Sequence, residues 1–117
     1  MMDLEKYQKL CKRTAKPYEN QTLALSNWGL GLVGEAGDVG SCIKKVIFHK
    51  NDGLKEGIKE NLGDMMWYVS MICNEFGWSL KDVLNENFEK LKKRFPEGFD
   101  AEKIKRDGTM IKWSGQK

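Results

Sequence analysis

The sequence predicts an all-α protein, a bundle of about four helices completed by oligomerisation. Three observations carry this. Apolar residues recur at three- and four-residue spacing along most of the chain. No stretch alternates with period two over a convincing length. Capping and breaking residues fall between the periodic segments. The 117 residues suffice for a single domain spanning 1–117, with a polar tail from about residue 100. A chain of this size buries roughly 65% of its unfolded surface, enough for one core without staples. With 40% apolar and 32% charged residues, the composition excludes a disordered or collagen-like chain. Twenty Lys and Arg against 17 Asp and Glu leave a net charge of +3, too weak by itself to imply nucleic acid, and none is expected. The longest nearly apolar run, Met65 to Cys73, is far short of the ~20 residues a membrane helix needs, so no membrane association is expected. The start carries no apolar export segment, and Cys11, Cys42 and Cys73 form no CxxC pair. A cytoplasmic protein with reduced thiols is the expectation.

The elements follow in order. Leu4, Tyr7, Leu10, Cys11 and Thr14 fall at helical spacing over about Asp3 to Lys16, and Pro17 stops that segment. Asn20 or Thr22 caps a second helix that runs to about His49, where Asn51-Asp52-Gly53 turns the chain. A third helix covers about Leu54 to Phe76 and ends at Gly77. Ser79 caps a fourth, which stops before Pro96. Beyond Phe99 the pattern is weak, with room for a short turn after Asp100 and a bend at Asp107-Gly108.

Two features set the central helices apart. The second holds five glycines, Gly29, Gly31, Gly34, Gly37 and Gly40, each costing up to ~1 kcal/mol against alanine in a helix interior. Close packing of backbones accounts for this, and so does room for a ligand. The other feature is acidic. At ~100° per residue, Asn27, Gly31, Gly34, Glu35, Asp38, Cys42 and Lys45 share one side of the second helix. On the third, Asp64 shares a face with Asn61, Tyr68 and Met71, with Glu60 at its edge. Carboxylates a turn apart repel, and burying one is costly unless it is paired. Exposure to water, or salt bridges to the many lysines, would satisfy them singly. The two matched faces together call for a hard cation, Mg²⁺ with Mn²⁺ as the alternative, since no His or Cys cluster accompanies the oxygens.

These residues carry a resemblance. Asn27-Trp-Gly-Leu-Gly-Leu-Val-Gly-Glu35-Ala-Gly-Asp38, then Lys44-Lys45-Val-Ile-Phe-His49, then Asn61-Leu-Gly-Asp64-Met-Met-Trp-Tyr68 resemble the MazG-type all-α nucleotide pyrophosphohydrolases. The segment from Asn87 to Phe99 resembles that family's closing motif, so the likeness spans roughly residues 5 to 100. It implies an oligomeric, Mg²⁺-dependent enzyme that cuts nucleoside triphosphates to the monophosphate and pyrophosphate. It implies metal ligands at Glu35 and Asp38 on one helix and at Asn61 and Asp64 on the next. The family places a glutamate where this chain has Asn61, whose amide oxygen can coordinate but brings no charge. Glu35 and Glu60 become the candidates for general base, and Asn27, Lys45, Asn87, Lys90 and Arg94 the candidates for touching substrate. Arg94 can hold phosphate in a bidentate grip and Lys90 as a point charge, although cations at a helix end also suit its dipole. His49, beside a helix end, is assigned a structural or capping role.

Asn61 also leaves two other readings open. One is a non-catalytic helical module that binds a nucleotide or a protein. The other is a pyrophosphohydrolase of a different substrate, such as phosphoribosyl-ATP. The apolar girth of the third helix predicts a self-complementary interface through helices two and three, giving a homodimer or homotetramer.

Overall fold

The computed structural model describes residues 1–104, and among them it is all-α: four helices, two short 3₁₀ turns and no strand. The helices are α1 (Leu4–Thr14), α2 (Gln21–Phe48), α3 (Lys55–Phe76) and α4 (Leu80–Arg94); the 3₁₀ turns are Asp52–Leu54 and Ala101–Ile104. The expected bend at Asp107-Gly108 lies outside the described residues. The chain divides into two compact units, Met1–Val83 and the part from Leu84 onward.

Local chemistry fixes the ends. The Asp3 carboxylate accepts from the Lys6 amide at 2.9 Å, and the Asn20 side chain accepts from that of Leu23 at 2.9 Å. At the C-terminus of α2 the His49 amide donates to the Lys45 carbonyl, so this histidine is a cap. Gly77 ends α3 with φ of 72°, a conformation that favours glycine, and the Trp78 amide reaches back to the Cys73 carbonyl at 2.9 Å. Ser79 opens α4 by accepting from the Asp82 amide at 3.3 Å.

In the first unit α2 and α3 form an antiparallel hairpin. The Trp28 indole donates to Glu75 near its open end, and Cys42 faces Gly57 and Asn61 near its closed end. Helix α1 packs on α3 as well. Cys11 meets Ala24, Trp28 and Met71 in the core, with Tyr7, Trp67 and Tyr68 against them. Trp28 stands edge-on to Tyr18 and to Trp67, with ring centroids 5.4 and 5.2 Å apart. Gln8 ties α1 down. Its amide donates to Asn74 at 2.9 Å and to the Trp78 carbonyl at 2.7 Å, and its oxygen accepts from the buried Leu80 amide at 2.8 Å.

Neighbours within the chain cover only part of the circumference of the run Met65 to Cys73, where Ser70, Met71 and Cys73 are buried and Met66 is exposed. Of the five glycines in α2, only Gly31 is closely packed: a Cβ there would overlap the Tyr68 ring, whereas Gly29, Gly34, Gly37 and Gly40 face open space.

Candidate active site

The hairpin register brings the acids together. Gly31 lies under Tyr68 and Cys42 opposite Gly57, so each step up α2 is matched by a step down α3. That register sets Glu35 opposite Asp64, and Asp38 opposite Asn61. Glu35 holds the middle of the inner face of α2, two turns from buried Trp28 in one direction and from half-buried Cys42 in the other.

Electrostatics single out Glu35. Its Oε2 is buried and has no hydrogen-bond partner. Desolvation pushes its pKa above the ordinary carboxylate value, and the charges of Asp64, Asp38 and Glu60 push it the same way. Those three acids are exposed, and among the described residues none of the four enters an ion pair. Of the readings that satisfy each acid singly, exposure therefore holds for Asp38, Glu60 and Asp64, and lysine bridges to them are absent among the described residues. Nor do three acid, thiol or imidazole side chains already gather into a complete metal cluster among the described residues. The donor chemistry nevertheless fits a hard cation, with an orphaned carboxylate oxygen among mutually repelling carboxylates and no imidazole beside them.

The remaining candidates divide. Asn61 is half-buried and donates its amide to the Cys42 sulfur at 4.0 Å, which leaves its oxygen as the end available to another partner. Asn27 is half-buried and Lys45 exposed. Trp28 belongs to the core, with 2% of its surface exposed. In the second unit Asn87 and Lys90 are exposed, and Lys90 lines a shallow cleft with Glu86, Glu89 and Lys93. Arg94 donates Nε–H to the Lys103 carbonyl at 3.1 Å and holds its guanidinium over the Phe95 ring.

Tyr7 is a neighbour of the acids that sequence reasoning missed. Its hydroxyl donates to the Gly63 carbonyl at 3.5 Å, beside Asp64. Burial, a hydrogen bond with Cys11 and the charges of Cys11 and Asp64 push its pKa up to about 12, so it stays a neutral phenol. Its spacing on α1 marks it as core, and nothing in the sequence points from α1 to Asp64.

Residues 24–99 match the family model described as the MazG nucleotide pyrophosphohydrolase domain. The chain is also 37% identical over 79 residues to the Gene 37 protein of Mycobacterium phage L5, a match that covers 63% of this chain and 68% of that protein. No solved structure matches it. Both acid-bearing turns, Glu35 to Asp38 and Asn61 to Asp64, fall inside the matched segment, and the chain belongs to the MazG nucleotide pyrophosphohydrolase domain family.

Proposed function

We propose that this protein hydrolyses a nucleoside triphosphate, ribo or deoxy, to the monophosphate and pyrophosphate. The observation that carries this reading is the buried, unpartnered Glu35 Oε2 facing Asp64 and repelled by Asp38 and Glu60. Such an arrangement is unfavourable by itself and becomes favourable around a divalent cation. Glu35, Asp38 and Asp64, with the amide oxygen of Asn61, would hold Mg²⁺ or Mn²⁺. When bound, the ion neutralises charge on phosphate oxygens and acidifies water. The chain's residues supply the rest. Attack at the α-phosphorus requires a water in line with the leaving pyrophosphate and a group to take its proton. Glu35, whose Oε2 has no protein partner, and Glu60, on the adjacent face of α3, are the candidates to take that proton. Asn27, on the acid-bearing helix α2, would meet the sugar or base.

A pyrophosphate-release assay over the common ribo- and deoxynucleoside triphosphates with Mg²⁺ and Mn²⁺ tests this. Turnover of at least one is expected. Folded protein that turns over none of them would overturn it. One observation favours the non-catalytic reading, the neutral Asn61 whose amide is tied to Cys42. Calorimetry that finds nucleotide binding without hydrolysis, with Asn61→Glu restoring turnover, would support that alternative.

Self-association is part of the proposal. Leu30 and Val33 of α2 are 74% and 70% exposed, and Gly34, Gly37 and Gly40 present open backbone beside them. A second copy laid on this face would bury the apolar side chains and use the glycines for close approach, giving a dimer or a dimer of dimers.

A further inference from the structure

Away from the acids, the first unit contains a cleft of about 380 Å³, within the size range of small-molecule sites. It opens where the end of α1 and the connection 15–20 pass over the start of α2 and the end of α3. Tyr18, Trp28, Ala24 and Met71 give it apolar and aromatic walls.

Three of its polar side chains are each held by one bond to the protein and keep a second group unused. Glu75 Oε1 accepts the Trp28 indole N–H at 3.2 Å, and its other oxygen makes no hydrogen bond among the described residues. Asn20 spends its oxygen on the Leu23 amide and keeps its NH₂. Gln21 spends its NH₂ on the Glu75 carbonyl at 2.7 Å and keeps its oxygen. Lys12 and Lys16 add positive charge, the latter 5.7 Å over the Tyr18 ring. A slot with aromatic walls and pre-oriented donors and acceptors suits a flat heterocycle carrying N–H groups. Trp28 is seven residues before Glu35 on the same face of α2, about 10 Å at 1.5 Å per residue, the span of a sugar and its first phosphates.

We infer that this cleft seats the base of the nucleotide and that Glu75 reads an edge rich in N–H donors, so that guanine is favoured over thymine and uracil. The inference rests on the hydrolase reading proposed above. An ionised carboxylate only accepts. Guanine offers it a ring N–H and an amino group side by side, and its carbonyl can take the Asn20 amide. Thymine and uracil present one imide N–H flanked by two carbonyl oxygens, which a carboxylate repels. A site built to hydrogen-bond a donor rejects a base lacking it, because its own acceptor is then left unpaired.

The test combines binding with kinetics on the full chain. Guanosine and thymidine, which carry no phosphate, are titrated against the protein while tryptophan emission is followed; guanosine should bind and thymidine should not. In Glu75→Gln, which keeps an acceptor for Trp28, KM for the guanine nucleotide should rise by roughly 10- to 100-fold. Its kcat should stay near that of wild type, and KM for the thymine nucleotide should fall, because the repulsion of the thymine carbonyls is gone. A shift shared by all bases, or no shift at all, overturns the inference while hydrolysis stands. Equal binding of the two nucleosides to wild type overturns it even if the variant does not fold. A protein that hydrolyses no nucleotide yet binds guanosine in a Glu75-dependent way loses the hydrolase reading and keeps the cleft.

Discussion

Glu35 has an unusual relation between stability and pH. Its folded pKa lies above the ordinary value of 4.5, so between the two values the unfolded chain releases its proton first. Stability therefore falls as pH rises through that window, and the loss is complete above the folded pKa. Below the ordinary value both states are protonated and the effect vanishes. Metal-free Glu35→Gln should accordingly melt higher than wild type at neutral pH and no higher in acid, as read by thermal melts in chelator. Added Mg²⁺ should raise the wild-type melting temperature more than that of the variant. Asp38 and Asp64 are exposed, so Asn at either position should leave the metal-free fold intact and act on chemistry. Turnover should drop by at least about 10- to 100-fold, the usual cost of disturbing even outer partners of a metal. Steady-state rates with Mg²⁺ check this, and full activity in either variant would remove that residue from the site. Gly31 is constrained in another way. Its missing Cβ leaves room for Tyr68, whose ring is wedged edge-on against Trp67 at 5.1 Å. Gly31→Ala should destabilise by about 1–3 kcal/mol in denaturant melts, the usual range for overpacking.

Helix α2 shows how far the sequence was legible. Asn20 caps it and the chain leaves it at His49, as its side-chain chemistry indicates, and the other helix ends fall within about two residues of their capping signals. Local signals were readable because they act over one turn. Glu35 was readable too, as a carboxylate among glycines and apolar residues. The Cys42–Asn61 contact and the approach of Tyr7 to Asp64 were not, because helix crossing sets them and no spacing within one helix encodes a crossing. The glycines needed the structure to sort them, since Gly31 and Gly37 look alike in sequence and only one meets a neighbour. That difference is testable. Gly37→Ala should stabilise an isolated chain by about 0.5–1 kcal/mol through helix propensity. If a second copy approaches there, the same change should instead weaken association, which analytical ultracentrifugation of the variant reads directly.

At the scale of the whole molecule, light scattering at micromolar concentration should show a dimer or tetramer, and a monomer there would contradict the proposed self-association. No helix among the described residues is long and apolar enough to cross a membrane. The Gln8 tie carries a consequence in time. Helices α2 and α3 are joined by the short stretch 49–54, so their pairing can zip from the turn outward with little loop closure at each step. The partners of Gln8 lie 66, 70 and 72 residues along the chain. Contacts that distant slow folding, and they reward the chain only once the hairpin has brought Asn74 and Trp78 into place. Docking of α1 is thus the late event of assembly. In reverse, α1 is the first segment to lift. Gln8→Ala should let the amides of α1 exchange with solvent faster while those in the middle of α2 and α3 keep their protection. Lifting α1 would also uncover Trp28 and take Lys12 and Ala15 from the wall of the cleft beside Glu75, so loosening of the N-terminal helix should open that cleft with it.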